Sequence, residues 1–137
     1  MTGVFAVFDA AGWIGQLPPR QIVDRVFPVR DESAAQIITM TSHFGYGALL
    51  GSAYSAASRS PSVVGGAVFG LSVCAVTYEG VLPLLRIRQP LHRDSAREIA
   101  ALAVAHLAYG ATLGRSVARR RRTRLIMDTT RYDQGVQ

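Results

Sequence analysis

The spacing of charge limits what this chain can fold into more than any other feature. Residues 33–58 and 99–114 contain no Asp, Glu, Lys or Arg, residues 60–85 contain only Glu79, and residues 1–16 contain only Asp9. The charged side chains gather instead in 20–32, in 86–98 and from 115 onward. A helix of a water-soluble bundle needs a charged stripe facing solvent, and these stretches have none, so a bilayer suits them better than water. They are rich in Gly, Ala and Ser rather than Leu, and the mean hydropathy is only +0.20. Small residues fit membrane helices, whose association depends on close backbone approach.

The charge pattern predicts four transmembrane segments, at about 1–16, 34–57, 63–85 and 98–114. The first is short: at about 1.5 Å per residue it reaches roughly 24 Å, less than the ~30 Å of a hydrocarbon core. It does not read as a signal peptide, because it lacks a basic start and carries Asp9 within the apolar stretch. Leu17-Pro18-Pro19 is expected to end it. Residues 21–27 alternate apolar and charged groups at helical spacing, which suits either a short helix on the membrane surface or a polar loop. A tight turn at 58–62 makes the second and third segments an antiparallel hairpin. Asp94 and Ser95, followed by Glu98, have the form of a helix start for the fourth.

A repeat runs through these segments. The pattern H-x-x-Y-G-A-x-L-G occurs at His43 and again at His106, with six of nine positions identical and an offset of 63 residues. A fainter echo relates Trp13-Ile14-Gly15-Gln16-Leu17-Pro18 to Tyr78-Glu79-Gly80-Val81-Leu82-Pro83, offset by 65. The expected domain is therefore 1–114, built as two parallel-repeated hairpins of about 1–57 and 61–114, with an Arg-rich C-terminal tail over 115–137. The expected fold class is all-α.

All 15 basic residues are Arg and the net charge is +6. Loops one and three hold seven Arg and the opposite side holds eight, so the positive-inside rule is nearly balanced. The dense tail favours cytoplasmic termini. There Arg119, Arg120, Arg121, Arg122 and Arg124 are expected to contact anionic lipid; nucleic acid is the partner such a cluster would bind in a soluble protein. A single cysteine, Cys74, excludes an intrachain disulfide and a multi-Cys metal site.

Candidate polar-site residues are His43, Tyr46, Glu79, His106 and Tyr109. The histidines fall near the centre of their segments, and each Tyr lies three residues on, over the same helix face. Ionisable groups within a membrane invite a functional reading, whether proton handling, metal binding or bis-His ligation of haem. The plainer reading gives each imidazole one interhelical hydrogen bond and gives Glu79 a His or loop Arg partner. Gly47 with Gly51, Gly66 with Gly70, and Gly110 with Gly114 are each four apart, the spacing of helix-packing faces. No catalytic constellation and no zinc-ligand spacing occurs, and the reading calls for no enzyme activity, cofactor or metal.

The strings Leu17-Pro18-Pro19-Arg20-Gln21-Ile22, His43-Phe44-Gly45-Tyr46-Gly47, Gly66-Ala67-Val68-Phe69-Gly70-Leu71, Tyr78-Glu79-Gly80-Val81-Leu82-Pro83 and Ala105-His106-Leu107-Ala108-Tyr109-Gly110 together resemble a group of uncharacterised bacterial inner-membrane proteins. These are loosely similar to the YagU-like family. The resemblance covers most of 1–114 and not the tail. It implies a small multi-pass helical protein of the inner membrane, and it implies a Met-Thr inside the first apolar segment, so the expectation is either a reading frame beginning upstream of Met1 or a first segment that tilts and thins the bilayer locally. The functional expectation is a non-enzymatic structural or accessory subunit, associated with other membrane proteins or with itself. The alternative is a small proton, ion or solute transporter or channel using the midplane histidines. A haem-binding membrane subunit and a soluble nucleic-acid-binding helical protein stand behind these.

Overall fold

The computed structural model describes residues 18–26 and 31–135, and all regular structure among them is helical. Helix α1 is Pro18–Val26, α2 is Glu32–Ala57 and α4 is Ala96–Gly135. Between them α3 runs Val63–Leu84, a length of 22 residues. It is α-helical to Ala75, widens to a π-helical turn over Val76–Val81, and closes with an α turn at Leu82–Leu84. One 3-10 turn, Leu91–Arg93, interrupts the loop before α4. The first expected segment lies outside the described residues.

Local chemistry fixes most helix starts. Asp31 caps α2, its carboxylate accepting from the Ala34 N–H at 2.7 Å, with Glu32 placed well for the helix dipole. Ser62 caps α3 by accepting from the Gly65 N–H at 3.0 Å. Ser95 and Glu98 form a reciprocal capping box at the start of α4: the Ser95 hydroxyl accepts from the Glu98 N–H at 3.3 Å and the Glu98 carboxylate accepts from the Ser95 N–H at 3.2 Å. At the end of α3, Arg86 takes a left-handed conformation at φ 54°. The N–H groups of Arg86 and Ile87 then reach back to Pro83 O and Leu82 O, both at 3.0 Å, in a Schellman closure.

Two boundaries differ from the sequence expectation. Pro18 and Pro19 open α1 instead of merely ending what precedes it, since the first helical turn needs no N–H from them. Val23 turns inward on α1 and is 2% exposed. Arg20 pins the helix to the start of α2, bonding Asp24 at 2.7 Å and both Glu32 oxygens at 2.9 and 3.0 Å. Donation to the carboxylates of Asp24 and then Glu32 holds the Arg20 guanidinium above the ordinary Arg range. The second difference is the tail. The helix expected to stop at Gly114 continues to Gly135, because no Gly or Pro falls within 115–134 and Arg is a good helix former. The helix reaches roughly 30 Å beyond Gly114, and the Arg cluster lies about 8–15 Å along that extension.

Helices α3 and α4 form the tightest contact, an antiparallel pair whose backbones touch. A Cβ placed on Gly66 would lie 2.1 Å from Gly110 O, and one on Gly114 would lie 2.1 Å from Ser62 O. One on Gly70 would lie 2.2 Å from His106 O. Nothing larger than hydrogen fits along this seam. Below it the helices diverge around a core of Cys74, Tyr78, Leu82, Leu91, Ala101, Leu102 and Ala105. The loop after α3 closes this end, with Arg88 bound to the almost buried Asp94 at 2.8 Å.

Large apolar side chains cover the outside. Leu49 on α2 is 67% exposed, and Val64 and Leu84 on α3 are 73% and 83% exposed. Among the described residues one helix, Val63–Leu84, is long and apolar enough to cross a membrane.

Candidate functional site

The four helices line a partly open cavity of about 430 Å³. Its walls are mainly aliphatic, including Val23 from α1 and Val73 and Leu82 from α3. Its polar lining consists largely of His43, Tyr46, Thr77, Tyr78, His106 and Tyr109. Four of the five expected site residues therefore meet in one place. Among the described residues no Asp, Glu or Arg lines the cavity.

His106 is held from two sides. Its Nδ1 faces Leu102 O, one helical turn back, at 2.8 Å, so this nitrogen carries the proton and donates. The ring of Tyr78 stands perpendicular to it, 87° between planes and 5.9 Å between centroids. Tyr109 donates to the Gly47 carbonyl oxygen at 2.6 Å, tying α4 to α2. The Tyr46 hydroxyl meets Thr77 Oγ1 at 3.3 Å, tying α2 to the π turn of α3. His43 comes to the same cavity from α2, with Phe44 edge-on beside it.

The two copies of the repeat thus differ in environment. Tyr109 bonds a backbone carbonyl and Tyr46 bonds a side chain. Gly110 and Gly114 press on the α3 backbone, while Gly47 and Gly51 line an open groove between α2 and α4. A Cβ on Gly51 would meet only the flexible tip of Leu113, at 3.3 Å, and the Tyr109 hydroxyl, at 3.5 Å; one on Gly47 would meet Tyr109 at 3.9 Å. These two glycines admit a neighbour's side chains rather than its backbone.

Glu79 is not part of the cluster. In the π turn the chain inserts an extra residue per hydrogen-bonded turn, Leu82 N–H reaching Thr77 O. Thr77 and Tyr78 then line the cavity while Glu79 projects to the rim. There its carboxylate accepts from the His92 N–H at 2.8 Å and pairs with His92 Nδ1 at 2.8 Å. Glu79 anchors the 3-10 turn, which makes it a structural ion. Sequence reasoning missed His92, which sits in a loop with no periodic signal. It also missed Thr77 and Tyr78, although two polar-tipped residues beside Glu79 in an apolar helix were a readable hint.

The Arg cluster also divides. Arg121 turns back to α2, donating to Ser55 O at 2.9 Å and Arg59 O at 3.0 Å. It neutralises carbonyls at and just beyond a helix C-terminus, where cations are favoured, and so leaves the set expected to face lipid. Arg119, Arg120, Arg122 and Arg124 are exposed.

Among the described residues no group of three or more His, Cys, Asp or Glu gathers as a metal-binding set. Comparison of the chain with protein-family models, with curated proteins and with solved structures gives no match in any of the three.

Proposed function

We propose that this chain is a non-enzymatic, multi-pass protein of the bacterial inner membrane, acting as a structural or accessory subunit that packs against other membrane proteins or a second copy of itself. The observation that carries the reading is the combination of an inner glycine seam and an outer apolar coat. Helices α3 and α4 associate through backbone contact at Gly66, Gly70, Gly110 and Gly114. Meanwhile large side chains such as Leu49, Val64 and Leu84 point outward. In water that arrangement is reversed: large side chains fill the core and polar ones coat it. In a bilayer, small residues let helices approach and apolar side chains meet lipid.

Four spans with cytoplasmic termini suit this reading, with Arg119, Arg120, Arg122 and Arg124 against anionic headgroups. The resemblance to YagU-like inner-membrane proteins supports the same location. Fractionation of cells expressing the full chain tests it: the protein is expected to stay with membranes after carbonate extraction. A monomer soluble in plain buffer would refute the proposal and favour nucleic acid as the partner of the Arg cluster.

A second reading, transport of protons or a small solute, draws support from the shared placement of His43 and His106 on one cavity. The engagement of the Glu79 carboxylate by His92 weakens it, because that carboxylate is then held away from the two histidines of the cavity. Purified protein in liposomes, assayed for proton flux with and without His106→Ala, separates the two readings.

A further inference from the structure

His106 is only 8% exposed, yet one of its ring nitrogens is unused. Nδ1 is committed to Leu102 O. Among the described residues no group bonds Nε2, and no fully buried side-chain nitrogen or oxygen is without a partner. Nε2 therefore opens on the cavity that the residue lines. With the proton on Nδ1, the neutral imidazole has its lone pair on Nε2 and presents an acceptor there. Two other hydroxyls on the cavity already have partners: Tyr109 donates to Gly47 O, and Tyr46 meets Thr77 Oγ1.

An occupant must match three properties. Its volume must fit about 430 Å³, within the range of small-molecule sites. Most of its surface must be apolar, because the walls are. It must carry no charge, because among the described residues no Arg, Asp or Glu lines the cavity to balance one. It gains most by bringing a hydrogen-bond donor to Nε2.

We propose that this cavity binds a neutral lipophilic molecule carrying a hydroxyl group, a phenol or lipid alcohol, whose O–H donates to His106 Nε2 while its apolar body lies among Val23, Val73 and Leu82. The site does not depend on the subunit role proposed above, and it holds whether or not the protein conducts anything.

Thymol and its methyl ether make the test. They share a ring and alkyl groups, and only thymol can donate. Full-length protein in lipid nanodiscs is titrated with each, after subtraction of partition into empty discs. Saturable thymol binding at one molecule per chain is expected, about fivefold to tenfold tighter than the ether, as one hydrogen bond gives. His106→Phe should lower thymol to the level of the ether and leave the ether unchanged. Nitrogen NMR of histidine-labelled wild-type protein provides a readout that needs no variant: the unprotonated Nε2 resonance should move on adding thymol. Absence of saturable binding, equal affinity for the two probes, or thymol binding indifferent to His106→Phe would overturn the proposal. If the variant does not fold, an Nε2 resonance unmoved by saturating thymol overturns it alone.

Discussion

Replacing Gly110 by Ala adds one methyl group at the tightest point of the molecule. The new Cβ would stand 2.1 Å from Gly66 O, 2.8 Å from Gly66 C and 3.0 Å from Gly70 N. Ordinary contact needs about 3.4 Å, so the helices must part by roughly 1 Å or more at this level. All three atoms belong to the backbone, and none can rotate away as a side-chain tip would. A gap of that size forfeits a quarter to a half of the attraction between facing atoms, and it opens the seam at Gly66, Gly70 and Gly114 together. Overpacking costs about 1–3 kcal/mol, and a backbone collision belongs near ~3. Ala gains about 1 kcal/mol over Gly within a helix, which leaves a net loss of about 2 kcal/mol. Gly45→Ala is the internal control: nothing lies within 4 Å of its Cβ position, so only the helical gain remains. Denaturant titration of both variants in detergent, followed by circular dichroism, should give shifts of opposite sign. A Gly110→Ala protein as stable as wild type would refute the packing of α3 on α4.

Arg121→Ala should destabilise the protein by about 1 kcal/mol, the value of a partly exposed charged hydrogen-bond pair. Hydrogen exchange should quicken near residues 55–59, and Arg121→Lys should restore only part of the loss because one ammonium does not reproduce a planar fork. Glu79→Gln should speed exchange across residues 86–94 while leaving thymol binding unchanged; a lost ligand would place Glu79 in the site after all. Ser95→Ala removes one half of a capping box, and a loss of about 1 kcal/mol in the same denaturant titration is expected.

The helices themselves were legible in the sequence because they rest on local chemistry. The charge-free stretches give the extents of α2 and α3 to within about two residues. The α4 start at Ser95 and Glu98, and the turn at 58–62, act within four or five positions and so appear as motifs. The continuation of α4 was legible too, in the missing helix breakers after Gly114, although the Arg cluster reads first as a solvated tail. The polar cluster was half visible: two histidines and two tyrosines at matching depth announce themselves in apolar segments.

Tertiary structure decided which of these groups meet. Glu79 finds His92 thirteen positions on, across a π turn that no residue pattern specifies. Arg121 bonds carbonyls 62 and 66 positions away. Two nine-residue motifs that share six positions acquire different partners, so that Gly110 closes on a backbone while Gly47 borders a groove. The physical reason is rotational. Segments apolar all round can form a helix without dictating which face turns inward. Caps and periodicity fix where such helices begin and end, while their rotation about one another is set by the fit of glycine backbones and by the few polar side chains that must find partners.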